Sequence, residues 1–253
     1  MVWESITSRQ NPLLRHVRKL LSSRSYRRQS GEYVCDGVKL LAEAVKWNAP
    51  VTTLICTDPG KIETLPEFAR LVQVPEDVME SISPMQAPQG ALFLVKMPQQ
   101  PLPQKLEGRH YLVLDGVQDP GNVGTILRSA DAFDCDGVLL LPGCADVYNE
   151  KTARATMGAV FRRPTHSCSV EELEVLLQQS ELPLYGTALQ EDTVDLRQAD
   201  LSRAAVAIGS EGQGLSREVL ALCQKTMKIP MTERCESLNA AVAASVVLWE
   251  MYR

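Results

Sequence analysis

"YLVLDGVQDPGNVGTILRSADAF", residues 111–133, decides the fold. Its first part is an unbroken apolar run without polar alternation, the pattern of a strand buried on both faces. The corner "QDPG" then reverses the chain, and "VGTILRSADAF" reads as a helix with Asn122 placed to cap it. Gly124 removes a side chain near the helix start, and Arg128, one turn further along, leans back toward the corner. A strand buried on both faces and followed at once by a helix is half of a βαβ unit, which calls for a parallel sheet with right-handed crossovers.

Working outward, the same pattern recurs. "GVLLL" (137–141), "PTHSC" (164–168), "LYGTAL" (184–189), "AVAIG" (205–209) and "TMKIP" (226–230) are further strand-like runs alternating with helical stretches. The C-terminal part is therefore α/β with a parallel sheet, and ligands in such sheets sit at the carboxyl ends of the strands. Toward the N-terminus, "KMPQQPLPQKLEG" has three prolines and no apolar periodicity, which reads as an extended linker. The expected division is an N-terminal domain over 1–97, a linker over 98–108 and a C-terminal domain over 109–253. Residues 1–97 read as a small α/β unit of their own, with strands "EYVCDG", "VTTLICT", "LVQV" and "GALFLVKM" and helices "VKLLAEAVKWN" and "EDVMESIS".

Charge is distributed unevenly. The 253-residue chain carries a net charge of −5, which argues against non-specific coating of nucleic acid. Yet residues 9–28 hold Arg9, Arg15, Arg18, Lys19, Arg24, Arg27 and Arg28 with no acidic residue between them. In "NPLLRHVRKLLSS", Leu13, Leu14, Val17, Leu20 and Leu21 fall at helical spacing, Asn11 suits the cap and Pro12 the first helical position. "SSRSYRRQSGEY" (22–33) reads as a flexible Ser-rich stretch able to reach phosphates and stack on a base. A solvated helix face accounts for the same charges. With 45% hydrophobic and 23% charged residues the composition is that of a soluble globular protein. Nothing approaches the roughly 20 apolar residues of a membrane span, and "MVWESITSRQNP" lacks a signal-peptide pattern, so a cytoplasmic protein is expected. The seven cysteines form no C-x-x-C pair, which leaves neither a disulfide framework nor a zinc site in view. His16, His110 and His166 are too scattered to form a constellation.

Three loops follow three strands. The corner at 119–128 offers an amide, backbone N–H groups and a guanidinium, a suitable phosphate site, though a helix cap with a surface arginine explains it equally. "AIGSEGQGLSREVL" (207–220) places Gly209, Gly212 and Gly214 around Ser210 and Glu211, but the spacing is not that of a dinucleotide-binding loop. "IPMTERCESLNAAVAASVVLWEMYR" (229–253) ends a strand at Pro230 and starts a final helix of small and apolar residues, for which either Ser237 or Asn239 suits the cap.

These three loops, in this order, resemble the motifs of the SpoU (TrmH-like) family of RNA ribose methyltransferases within the SPOUT superfamily. Asn122, Gly124 and Arg128 match the first motif; Gly209, Ser210, Glu211 and Gly212 the second; Ile229, Pro230, Ser237, Leu238 and Asn239 the third. "NEKTARATMGAVFRRP" (149–164) also looks familial, and the N-terminal part is similar to the substrate-binding domain of bacterial rRNA members, a domain akin to ribosomal protein folds. The resemblance implies a deep trefoil knot in the C-terminal domain, a homodimer and S-adenosylmethionine as cofactor. By the same resemblance Gly209, Ser210, Gly212, Ile229, Pro230 and Leu238 hold the cofactor, with Thr187 and Ala188 in the same pocket. Arg128 assists the ribose hydroxyl, as a base or by stabilising the developing alkoxide, with Asn122, Glu211, Ser237 and Asn239 positioning it, and no metal is required. The implied reaction is 2′-O-methylation of structured RNA, ribosomal RNA ahead of tRNA. A catalytically inactive RNA-binding protein of the same fold is the rival reading; an NAD-dependent oxidoreductase lacks the acidic ribose partner.

Overall fold

The computed structural model describes residues 2–85, 89–99, 101–191, 193–232, 234–235 and 237–253. Gln100 of the expected linker and Glu236 of "ESLN" therefore lie outside the described residues. The chain divides into two units, Met1–Gln99 with Asp146–Phe161, and Gln100–Ala145 with Arg162–Arg253.

In the first unit, β1 (Glu4–Ser5) precedes α1 (Pro12–Ser22), whose cap is Asn11, its side chain accepting the Leu13 N–H at 2.9 Å. The Ser-rich stretch expected to be flexible is instead a helix, α2 (Arg24–Ser30), started by Ser23 and ended by Gly31 at φ 68°. It has no apolar stripe, so only its caps could have announced it. There follow β2 (Glu32–Asp36), α3 (Val38–Lys46), β3 (Val51–Cys56), β4 (Arg70–Gln73), α4 (Glu76–Glu80) and β5 (Ala91–Lys96). The strands lie in the order β1-β4-β3-β5-β2, and β5 runs antiparallel to both neighbours. Alternate residues serve opposite faces. Val34, Leu92 and Leu94 pack with Leu14, Val17 and Leu20 of α1, whereas Tyr33, Cys35 and Phe93 pack with Leu40, Leu41 and Ala44 of α3.

The second unit starts with β6 (His110–Asp115), α5 (Pro120–Ala132) and β7 (Gly137–Leu140); the next helix, α6 (Glu150–Ala155), belongs to the first unit. β8 (Thr165–Ser167), α7 (Val170–Ser180), β9 (Leu184–Thr187), β10 (Val194–Asp195), β11 (Ala204–Gly209), α8 (Arg217–Leu222), β12 (Lys225–Lys228) and α9 (Ala240–Tyr252) complete it. The sheet order is β10-β12-β9-β11-β6-β7-β8, with every pairing parallel, as the apolar runs require. Val113, Leu139, Ala205 and Ala207 face Leu173, Leu176 and Val219 of α7 and α8. α5 packs on β7, α9 on β11, and the two helices on each other. The small residues of α9 permit that approach, and Ser245 Oγ lies 2.8 Å from Ser129 Oγ of α5.

Asp146–Phe161 departs from a division read off linker composition, because it is built into the first unit. Ala153 is buried in the same core as Tyr33 and Cys35, and the rings of Tyr148 and Tyr33 are 4.9 Å apart. Arg27 donates to Asp146 Oδ2 from Nε at 3.0 Å and Nη2 at 2.6 Å, and to the Leu20 carbonyl at 2.6 Å. Only 4% of Arg27 is exposed. Its expected place on an RNA-binding face is therefore corrected: the guanidinium neutralises a carboxylate 119 residues away and satisfies a carbonyl at the end of α1. Removing one partner of a buried pair strands the other charge, so Arg27→Ala lowers stability by about 3–5 kcal/mol in urea unfolding. Arg27→Met combined with Asp146→Leu recovers most of that loss.

Candidate active site

The site is built where two strands end together. β6 and β11 are adjacent and in register, Asp115 opposite Gly209, so the chain leaves both at one edge of the sheet. Beyond β6, the cap of α5 is Asp119, not Asn122 as the sequence led us to expect. The Asp119 side chain accepts the Asn122 N–H at 2.9 Å, and Pro120 takes the first helical position. Asp before Pro is the stronger start signal, and the consequence is chemical: Asn122 lies inside the first turn with its amide free for a tertiary bond. Gly124 is buried within α5.

Beyond β11, the glycines close a loop on itself. A Cβ on Gly209 would lie 2.1 Å from the Gly214 carbonyl carbon, and Gly214 has φ 68°. Ser210 and Gly214 exchange backbone hydrogen bonds of 3.0 and 2.9 Å. Glu211 stands at the exposed tip. The third contribution is Asn239, the cap of α9, whose Oδ1 accepts the N–H groups of Ala241 and Val242 at 3.0 and 3.2 Å. Its Nδ2 donates to Asn122 Oδ1 at 3.1 Å and to Glu211 Oε1 at 2.9 Å. Asn122 Nδ2 also donates to Glu211 Oε1. Three side chains from three loops thus form one closed network.

Glu211 also lines a pocket of about 700 Å³. Thr187 at the end of β9 with Ala188 after it, Gly209 at the end of β11 with Ser210 after it, and Ile229, Pro230 and Leu238 beyond β12 are in its wall, as is Ser237. Gly212, also expected at the cofactor, is not among them; it sits at the loop tip in open space. Residues not anticipated include Met227, Lys228, Met231 and Ala243. Strand alternation and the helical position of Ala243 were the only signals for them. Arg128 lies on the exposed side of α5, outside this lining and without an ion pair among the described residues.

The remaining basic residues belong to the first unit. Arg9 pairs with Asp77 at 2.8 Å, Arg18 donates to Ser81 and to the Arg9 carbonyl, and Lys19 lies over the Tyr26 ring. Arg15, Arg24 and Arg28 are exposed and form no ion pair among the described residues. His16 is structural, held between the Tyr26 hydroxyl and Glu32. Burial pushes the Cys135 and Cys168 thiols up to about 12, which keeps them protonated and poor nucleophiles.

Residues 109–249 match the SpoU rRNA Methylase family, and residues 11–92 match the MRM3-like substrate binding domain. The 23S rRNA (guanosine(2553)-2'-O)-methyltransferase RlmP of Bacillus subtilis (strain 168) is 30% identical over 234 residues, spanning 92% of this chain and 93% of that protein. The 23S rRNA (uridine(2479)-2'-O)-methyltransferase of Streptomyces viridochromogenes is 31% identical, spanning 98% and 91%. The structure of an AdoMet-bound rRNA methyltransferase from Sinorhizobium meliloti superposes with a TM-score of 0.85 at 28% identity, covering 98% of this chain and 97% of that one. With its strands, its three loops and these matches in agreement, the chain belongs to the SpoU rRNA methylase family.

Proposed function

We propose that the protein methylates a ribose 2′-hydroxyl in structured RNA, with ribosomal RNA as substrate and S-adenosylmethionine as cofactor. The observation that carries this reading is the Asn122–Glu211–Asn239 network at the edge of the pocket that Glu211 lines. The pocket fits the cofactor. Its volume lies within the roughly 300–1,000 Å³ of small-molecule sites. Ala188, Ile229 and Leu238 offer an apolar wall for a purine, and Lys228 offers a positive charge to the carboxylate of the amino-acid end. Bound there, the cofactor supplies an electrophilic methyl group on a sulfonium.

The protein's own residues must align the ribose hydroxyl and ease the loss of its proton. The Arg128 guanidinium acts by holding a neighbouring phosphate and stabilising the developing alkoxide. Both amide donors reach Glu211 Oε1, which leaves Oε2 for the ribose hydroxyl and its proton, and Ser237 lines the same pocket. Recognition falls to residues 1–97 through Arg15, Lys19, Arg24 and Arg28, and chemistry to 109–253, joined by the linker at 98–108. The reading includes a homodimer: Val242, Trp249 and Tyr252 expose one face of α9 at 48%, 53% and 57%, beside Phe133. It also includes a C-terminal knot, supported by the return of α9 to α5 and β11 after β12 has been laid beyond β9. A cytoplasmic location is supported by the ribosomal substrates in the relatives' names.

With labelled cofactor and ribosomal RNA from cells lacking the gene, the label is expected on one ribose. Label confined to tRNA overturns the substrate, and cofactor binding without transfer to any RNA favours the inactive reading. Arg128→Ala should lower the rate by roughly 10²-fold, the scale of a lost charge-stabilising donor, with cofactor affinity unchanged; a full rate removes its assigned role. Replacing Arg15, Arg24 and Arg28 together by alanine should weaken RNA binding and reduce the log–log salt slope by about 2–3. Val242→Glu with Trp249→Glu should give a monomer by light scattering, against a dimer for the parent chain.

A further inference from the structure

Asp115, the last residue of β6, is outside the network described above but is bonded to the far end of the loop that carries Glu211. Its Oδ2 accepts the backbone N–H of Ser216 at 2.7 Å. Ser216 is the cap of α8 at the far end of the 210–216 loop, its own hydroxyl accepting the Val219 N–H at 3.3 Å. The near end of the loop is fixed by the sheet, because Gly209 pairs in register with Asp115 itself. One residue therefore borders both ends. Between them the mutual hydrogen bonds of Ser210 and Gly214 leave only a short tip, and that tip carries Glu211. Directly after Asp115, Gly116 takes φ 65°, and a Cβ there would come within 3.9 Å of Ser210 Cβ, so the loop lies against the corner that leads to α5.

A carboxylate accepting a backbone N–H makes a short, charge-assisted bond, about twice as strong as a neutral one. The Asp115 charge is felt in the interior, where it joins burial in pushing the Cys223 thiol up to about 11. We infer that Asp115 is a positioning residue that fixes the 210–216 loop against the α5 corner, so that Glu211 reaches Asn122 and Asn239 and Ser210 and Gly214 face the pocket. The inference rests on the methyltransferase reading for its effect on turnover, but not for its effect on the loop.

Four single variants and one double test it. Ser216 has φ −64°, which proline accepts, so Ser216→Pro deletes the donor N–H, whereas Ser216→Ala deletes only the α8 cap. Asp115→Ala and Ser216→Pro should each lower kcat about tenfold and weaken cofactor binding. The double variant should be no worse than Ser216→Pro alone, which breaks the same Asp115 bond and also removes the α8 cap. Asp115→Asn, whose amide oxygen still accepts, and Ser216→Ala should stay within about threefold of the parent. Without cofactor, amide exchange at 211–215 should accelerate in Asp115→Ala while the β6 amides keep their protection. Additive losses in the double variant, equal losses in Ser216→Ala and Ser216→Pro, or unchanged exchange in the loop overturn the proposal. If the parent protein neither binds cofactor nor transfers methyl, the enzymatic reading has failed, and the exchange measurement alone decides the loop.

Discussion

The in-register pairing of β6 with β11 is the constraint from which the site follows. Tyr111–Leu114 of β6 and Ala204–Ile208 of β11 are apolar and buried, so the strands are held by core packing as well as by their hydrogen-bonded ladder. Parallel pairing then makes both chains emerge at one edge. The α5 corner and the 210–216 loop are thereby neighbours, although their residues are about ninety positions apart. A one-residue slip would send Val113 and Ala207 to the wrong face of the sheet and carry Asp115 and Gly209 out of step. The precision of the Asn122–Glu211–Asn239 contacts is thus inherited from the core, which is the arrangement a site with three contributing loops requires.

Two kinds of glycine and cap shape the loops. Gly209 and Gly214 let the second loop fold onto its own backbone, and so bring Glu211 to a defined tip while both glycines line the pocket. Asp119 and Asn239 are both caps, but with different consequences. Asp119 spends its side chain on the helix and frees Asn122, while Asn239 caps with its oxygen and reaches across to Glu211 with its nitrogen. An amide can do both because it carries a donor and an acceptor, which an ionised Asp cap could not match toward a carboxylate.

The first unit shows how charge acquires meaning only in context. A run of seven basic residues reads as one surface, yet Arg27 is buried against Asp146, Arg9 and Arg18 are bonded to the unit itself, and Arg15, Arg24 and Arg28 stay exposed. The segment that supplies Asp146 lies between strands of the other unit in sequence. Folding the first unit therefore needs residues synthesised long after it, a non-local contact whose loop-closure cost burial must offset.

Strand identities, the parallel sheet and the three functional loops were legible from the sequence, because apolar runs, Gly and Pro punctuation and cap residues are local signals. The motifs of the three loops pointed to the family, and the comparisons show that family. Local signals also mislead: α2 lacks an apolar stripe and so reads as flexible, and Asn122 reads as a cap although Asp119, three residues earlier, takes that role. What only the tertiary structure decided was which groups touch across long separations: Arg27 with Asp146, Asp115 with Ser216, and Glu211 with Asn122 and Asn239. The physical reason is that a side chain's partner depends on strand order and register, and those are set by how whole faces bury their apolar surface rather than by any short stretch of residues.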